Sequence, residues 1–193
     1  MPRPSRWPDV VQAAAKVFSQ KGYSAASLED IAAEVGMFKG SLYNYITNKE
    51  DLLFAVVRSP ADHLLTEVRR IAGSDLPPSE KVRRVALIHA DIIEDNLPYV
   101  QVYLQEIVGK GISPEWAAMD REYLSLLTEI IDEGRRMQIF DSSIDSHLAA
   151  RMLVGSLNWM TRWYVPGDRS VARAQASQMA DIFLSGSLAR KSG

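Results

Sequence analysis

The chain has no cysteine among its 193 residues, which excludes disulfides and thiolate-held metal sites. It has three histidines, His63, His89 and His147. They fall at none of the spacings that metal sites use, and read as surface or core residues. No apolar run approaches the ~20 residues that span a bilayer. No secretory leader is expected either, because Met1-Pro2-Arg3-Pro4-Ser5-Arg6 leads into an amphipathic stretch. The expectation is a cytoplasmic protein without membrane contact. The motifs of common catalysts are missing too: there is no Gly-rich phosphate loop, no His-Glu-x-x-His and no nucleophile elbow. The adjacent carboxylates of Asp132 and Glu133 diverge on a helix and read as a solvated face. Neither an enzyme nor a resident cofactor is expected.

An excess of positive charge is also lacking. The net charge is −2, so a general basic coat for nucleic acid is excluded, and any DNA contact must be local. Residues 1–58 hold seven Lys/Arg against six carboxylates, whereas the remainder holds 15 against 18. The asymmetry is mild, with the sign that an N-terminal DNA reader needs.

What is present is helical periodicity. Strand-like alternation is absent, and Pro and Gly fall between periodic stretches. Helices are predicted from about Pro8 to Lys21 (apolar stripe Val10, Ala14, Val17, Phe18), from Leu28 to a stop at Gly36, and from Gly40 to Ile46. Ser27 and Asp30 are spaced as a capping box for the second of these. Asn48 can cap a fourth helix, which Pro60 should kink or break near Arg58. Further helices are expected over about Ser79–Glu94, Pro98–Val108, Pro114–Met137, Ser146–Tyr164 and Ser170–Leu188. Gly109 and Gly111 mark the stop of the Pro98 helix. The fold class is all-α, with about nine helices: an N-terminal three-helix domain over 1–58 and a larger helical bundle over 59–193.

Residues 27–46, SLEDIAAEVGMFKGSLYNYI, place two short helices on either side of a tight turn at Gly36. This is the helix-turn-helix pattern, whose second helix enters the major groove of DNA. Ile31, Val35, Met37, Leu42 and Ile46 form the inner face. Lys39, Gly40, Ser41, Tyr43, Asn44 and Tyr45 face outward. Lys39 and the Ser41 hydroxyl suit base edges or phosphates, and Gly40 removes bulk where DNA approaches. The two tyrosine hydroxyls suit phosphate oxygens. Lys49 reads as a further phosphate clamp. On pattern alone, two packed helices of a protein-binding adaptor remain possible. Specific binding to DNA, with a steep inverse salt dependence, would separate the regulator from the adaptor.

The segment GMFKGSLYNYITNKEDLL, with AAAKVFSQKGYSAASLEDIAAEVG before it, resembles the DNA-binding signature of the tetracycline-repressor family over about residues 8–57. The resemblance implies three DNA-binding helices followed by a ligand-binding bundle that dimerises through its last two helices. It places Ser27, Lys39, Gly40, Ser41, Tyr43, Tyr45 and Lys49 where family members contact DNA. Asn44 departs from a frequent aromatic or His, and Ile46 from a commoner Phe; the former bears on which base is read. Repression is the family's usual mode.

The Leu148–Tyr164 helix is apolar on two faces. Met152, Gly155/Ser156, Trp159 and Trp163 form one stripe, and Leu153, Leu157, Met160 and Tyr164 the other. The last helix offers Val171, Ala174, Gln178, Ile182 and Gly186. A homodimer through these two helices, reading a palindromic double-stranded operator, is the expectation. The aromatic supply of the bundle also suits a large apolar effector, with Tyr103, Glu106, Arg121, Tyr123, Trp159, Arg162 and Trp163 as candidate contacts, although plain core packing explains aromatics equally. GSLNWMTRWYVPGDRS resembles the penultimate-helix end of family members that govern fatty-acid and steroid catabolism, which implies an acyl-CoA effector. Hydrophobic drugs acting on efflux genes are the alternative.

Overall fold

The structure, a computed structural model, describes residues 6–107 and 114–188. The side chains of Glu106, Ile107 and Glu115, and the expected stops at Gly109 and Gly111, lie outside the described residues. Eight α-helices are found among the described residues: α1 (Trp7–Lys21), α2 (Leu28–Val35), α3 (Lys39–Leu42), α4 (Lys49–Ala72), α5 (Pro78–Val102), α6 (Pro114–Arg136), α7 (Ser146–Trp159) and α8 (Arg169–Ser187). The only extended pairing among them is an isolated bridge between Phe140 and Leu188. No helix is long and apolar enough to cross a membrane. The chain divides into two compact units, Met1–Ala61 with Pro98–Lys110, and Asp62–Leu97 with Gly111–Gly193.

In the first unit, α1 packs on α2 and α2 on α3. Val10, Ala14, Val17 and Phe18 of α1 are buried with Ile31, Ala32, Leu42 and Ile46, as the apolar stripes predict. Gly22 (φ 76°) and Gly36 (φ 67°) end α1 and α2 in the left-handed region that glycine enters without steric cost. The capping box at α2 is complete. The Asp30 amide donates to Ser27 Oγ at 3.1 Å, and the Ser27 amide donates to Asp30 Oδ2 at 3.0 Å. Asn48 and Asp51 form the same device at α4: the Asp51 amide donates to Asn48 Oδ1 at 3.1 Å, and Asp51 Oδ2 accepts from the Thr47 and Asn48 amides.

Two expectations are corrected here. The third helix is shorter than Gly40–Ile46. After Leu42 the chain tightens into turns, with the Asn44 amide on the Ser41 carbonyl and the Tyr45 amide on the Leu42 carbonyl at 2.8 Å. These i→i+3 bonds tighten the chain, and the Leu42 carbonyl accepts the Ile46 amide as well at 3.1 Å, one α-type bond without a regular helix. Pro60 does not break α4, which runs through it to Ala72. Proline forfeits one amide bond, but Pro60 is buried, as are Val56, Val57 and Leu65 along the same helix, and packing of this kind offsets the loss. In α5, by contrast, helical dihedrals fail at Asn96 (φ −137°, ψ 27°), so the two predicted helices are one element with a kink just ahead of Pro98. The chain then forms a π-helical turn over Tyr103–Ile107.

In the second unit, α6 packs on α7 and α7 on α8. The inner face of α8 is a stripe of small residues, Ala172, Ala176 and Ala180, closed by Leu184. Asp145 and Asp168 cap α7 and α8. Lys81 is 3% exposed. Its ammonium donates to the Ala72 carbonyl at the end of α4 at 2.9 Å and to Glu133 at 2.8 Å, which supplies both an acceptor and an opposite charge. Asp91 accepts a two-pronged bond from Arg173, and Arg169 adds a second cation; these guanidiniums hold its carboxyl below the usual range against the opposing effect of burial.

His89, buried in this unit, carries a testable pH dependence. Its Nε2 lies 2.9 Å from Asn158 Oδ1, an acceptor, so Nε2 holds the proton. Nδ1 then accepts from the Tyr123 hydroxyl at 3.2 Å. Burial pushes the imidazole pKa down to about 4, against the raising effect of the Asn158 bond, and pushes the Tyr123 phenol up. The unfolded chain therefore binds the additional proton between about pH 6.5 and 4. The stability contribution is complete above pH 6.5 and is lost as pH falls through that window. Unfolding free energy should drop by about 3 kcal/mol between pH 7 and pH 4 on this account. His89→Gln should remove most of that slope in denaturant titrations at the two pH values; an unchanged slope would show that other groups carry it.

Candidate nucleic-acid interface

The helix-turn-helix offers one continuous outward face built by α2, the turn and α3. Residues from Phe38 to Gly40 and from Tyr43 to Tyr45 are exposed, and Ser41 is half-buried. A Cβ at Gly40 would meet nothing within 4 Å, so glycine there reflects no crowding within the chain. Tyr43 is 51% exposed and Tyr45 37%. The Tyr45 ring is stacked on Trp7 at 6.0 Å between centroids, which fixes its direction. Leu42 and Ile46, both buried, anchor the segment from beneath. A short helix held on two apolar pegs, with small and polar groups outward, can approach a groove floor without desolvating its own core.

The charges of this face are mostly paired. Lys39 donates to Glu29 at 2.7 Å, Lys21 to Asp30 at 2.8 Å and Lys16 to Glu34 at 2.6 Å. The Lys39 ammonium beside Glu29 holds that carboxyl below its ordinary value, and Glu29 raises Lys39 in return. The Lys21 bond, helped by the Ser27 amide, lowers Asp30 to about 2. The three lysines are solvent-exposed, so the pairs add little stability and their ammonium groups can exchange these carboxylates for phosphate oxygens. Arg6 donates to the Val35 carbonyl at 2.7 Å and so satisfies an open acceptor at the end of α2.

Two of the predicted contact residues also have structural work. The Ser27 oxygen accepts the Asp30 amide, and its hydroxyl also bonds the Asp30 carboxylate, so the side chain is committed to the cap. The Lys49 ammonium donates to the carbonyls of Tyr23 and Ala26 at 2.7 and 2.8 Å and lies 4.4 Å from the Tyr23 ring centroid. Lys49 therefore pins the loop between α1 and α2, and one N–H remains for a phosphate. Phe38 and Glu29 belong to this face as well and are not among the residues that the sequence singles out. Phe38 lies in the turn, where helical periodicity gives no face, and the Glu29–Lys39 pair spans ten positions without a periodic signal.

The candidate effector residues are spread over both units. Tyr103 and Glu106 belong to the first, and the other five to the second. Tyr123 is bonded to His89. Arg121 is exposed. Trp159 and Trp163 are 64% and 47% exposed, and the Arg162 guanidinium lies 5.8 Å from the Trp159 ring centroid. A groove of about 840 Å³ in the second unit is lined by ionised side chains, among them Arg69, Glu129, Asp132 and Arg135, and by none of the seven. No group of the described residues could hold a metal ion.

Comparison with known proteins agrees with this architecture. Residues 10–56 match the family model described as bacterial regulatory proteins of the tetR family, and residues 75–187 match the tetracyclin repressor-like C-terminal domain. The transcriptional repressor KstR2 of Mycobacterium tuberculosis is 25% identical over 185 residues, covering 94% of this chain and 92% of the relative. The structure of that protein, a ketosteroid transcriptional regulator, superimposes with a TM-score of 0.87 at 24% identity, covering 97% of each chain. The regulator PfmR from Thermus thermophilus gives a TM-score of 0.81 at 30% identity, over 91% of this chain and 97% of that one. AibR, solved in complex with isovaleryl coenzyme A and operator DNA, gives 0.76 at 24% identity, over 94% and 97%. With the C-terminal model spanning more than half of the chain and the N-terminal model covering the helix-turn-helix, this chain belongs to the tetracycline-repressor family and is a DNA-binding transcriptional regulator.

Proposed function

We propose that the chain is a homodimeric repressor that leaves a palindromic operator when an acyl thioester binds its C-terminal bundle. Residues 1–58 are the DNA-binding part and 59–193 the effector-binding and dimerising part. It works in the cytoplasm, by binding alone and without catalysis. The observation that carries the reading is the pair of exposed apolar stripes on α7 and α8. Of the two faces predicted for the Ser146–Tyr164 helix, which as α7 ends at Trp159 and passes into a 3-10 turn over Met160–Arg162, Leu153, Leu157, Met160 and Tyr164 are buried, whereas Met152, Trp159 and Trp163 are exposed. Ile182 of α8 is 69% exposed, and neither Gly155 nor Gly186 has a neighbour within 4 Å of its would-be Cβ. A second copy docked there buries the stripe, the glycines allow close approach, and the dimer carries two recognition helices, one for each half-site. In this arrangement Trp159 and Trp163 serve the dimer, and Tyr123 is the best placed of the candidate residues to meet a ligand inside the bundle.

The effector class is supported by relatives. AibR was solved in complex with isovaleryl coenzyme A, an acyl thioester, and KstR2 is described as a ketosteroid transcriptional regulator, which suits a large apolar effector. Release requires only that the ligand favour the non-DNA conformer; a preference of ~3 kcal/mol weakens operator binding about 150-fold. Acyl-CoAs of increasing chain length, with free coenzyme A as control, should be titrated into the protein–operator complex. At least one thioester should release the DNA and raise the melting temperature of the free protein. Retention of the complex across the whole panel would reject the effector class while leaving DNA binding intact.

A further inference from the structure

Phe38 is 87% exposed, more than any other large apolar side chain among the described residues. It occupies the N-cap of the recognition helix in an extended conformation (φ −75°, ψ 141°), and its side chain makes no capping bond. That position favours Ser, Thr, Asp or Asn, whose oxygen accepts a free amide of the first turn. At Phe38 the backbone alone serves: its carbonyl accepts the Ser41 amide at 2.9 Å. The folded chain thus gains neither a cap nor burial from this phenyl group. The neighbours show where it is aimed. Met37 is half-buried and its amide is held by the Ala32 carbonyl at 2.8 Å, so the turn is fixed just ahead of Phe38. Lys39 and Gly40 follow, both exposed, and Gly40 has no side chain to keep a base at a distance.

The first residues of a recognition helix are those that reach base edges. The one strongly apolar feature of the major-groove floor is the 5-methyl group of thymine, which accepts contact from phenylalanine. We infer that Phe38 is a specificity-determining residue that packs its ring on a thymine methyl in each operator half-site, beside the polar contacts of Lys39 and Ser41. The inference rests on the DNA-binding reading of the motif.

Deoxyuridine pairs as thymidine does but lacks the methyl group, so it isolates this contact. Operator sequences are first selected from a random duplex pool by the full-length protein. Each preferred thymine is then replaced in turn by deoxyuridine, and affinities are measured for the wild type and for Phe38→Ser. Phe38→Ser adds a capping hydroxyl at an exposed site, and its melting temperature should equal or exceed that of the wild type. One thymine per half-site should cost the wild type about 4-fold when replaced, the loss expected when one methyl group is no longer buried. The same replacement should cost Phe38→Ser nothing, and the variant should select sites with relaxed preference at that position.

Wild-type indifference to deoxyuridine at every thymine, or selected sites without a preferred thymine, would overturn the inference. So would an identical deoxyuridine profile in Phe38→Ser, or a change of oligomeric state in that variant. Failure of the wild type to enrich any sequence would instead overturn the DNA-binding reading, and the inference with it.

Discussion

Replacing Trp159→Glu and Ile182→Glu together should leave a folded monomer whose operator affinity has fallen by about 10²–10⁴-fold. Both side chains are largely exposed in the single chain, at 64% and 69%, so neither contributes much to its fold. They share the α7–α8 surface with Leu148, Met152, Trp163 and Val171, all exposed. A monomeric protein seldom leaves so many large apolar side chains exposed on two neighbouring helices. Carboxylates placed at two points of a buried interface would have to be desolvated without partners, and the pairing would fail. DNA affinity falls with it because the second half-site is then no longer engaged intramolecularly. Sedimentation and a gel shift read the two consequences separately, and circular dichroism checks that the helices persist. A variant that remains dimeric and binds DNA normally would move the interface elsewhere.

Gly134→Ala should cost about 3 kcal/mol, far more than its chemistry implies. In an open helix the same change is worth roughly 1 kcal/mol in favour of alanine. Here a Cβ would fall inside the ring of Phe140, which is 1% exposed. The ring has no route of retreat. The amides of Ile139 and Phe140 both bond the Gly134 carbonyl, at 2.9 and 3.1 Å, and Gln138 takes φ 57° to make that reversal. On the far side, the Asp141 amide bonds the Ser187 carbonyl at 2.9 Å, and Phe140 is bridged to Leu188. For a chain of this length the loss corresponds to a melting temperature lower by roughly 6–12 °C. Phe140→Leu in the same chain should recover part of it, giving a non-additive double mutant. Additive losses, or a Gly134→Ala protein as stable as the wild type, would show that the ring does not confine this corner.

The sequence is most legible where the determinants are local. The Ser27–Asp30 and Asn48–Asp51 caps each act over three positions, and both are found as bonds. The two faces of α7 follow from a 3.6-residue period, which reports apolar stripes faithfully; it cannot tell the stripe packed within the chain from the one left outward. Determinants set by tertiary proximity are not visible. Lys49 meets carbonyls 26 and 23 positions away, and His89 meets Asn158 across 69. A lysine at the start of a helix therefore reads as a phosphate clamp when it also pins a loop. Pro60 fails as a stop signal for a related reason, since burial around the helix outweighs the one amide bond that proline removes. Phe38 is assigned to neither face by the sequence, since it lies in the turn where helical periodicity is interrupted, and its 87% exposure is what singles it out.

If the face from α2 to Tyr45 reads DNA, the protein must prefer a selected sequence, and Lys39 must contribute to that preference. Full-length protein is used to enrich duplexes from a random pool, and the best duplex is then titrated against a scrambled one between about 50 and 200 mM salt, for the wild type and Lys39→Ala. The account predicts an enriched sequence, bound in preference to the scrambled duplex, with affinity falling as salt rises and with much of the preference lost in Lys39→Ala. A pool that enriches no sequence, or a Lys39→Ala protein with unchanged affinity and preference, would contradict it.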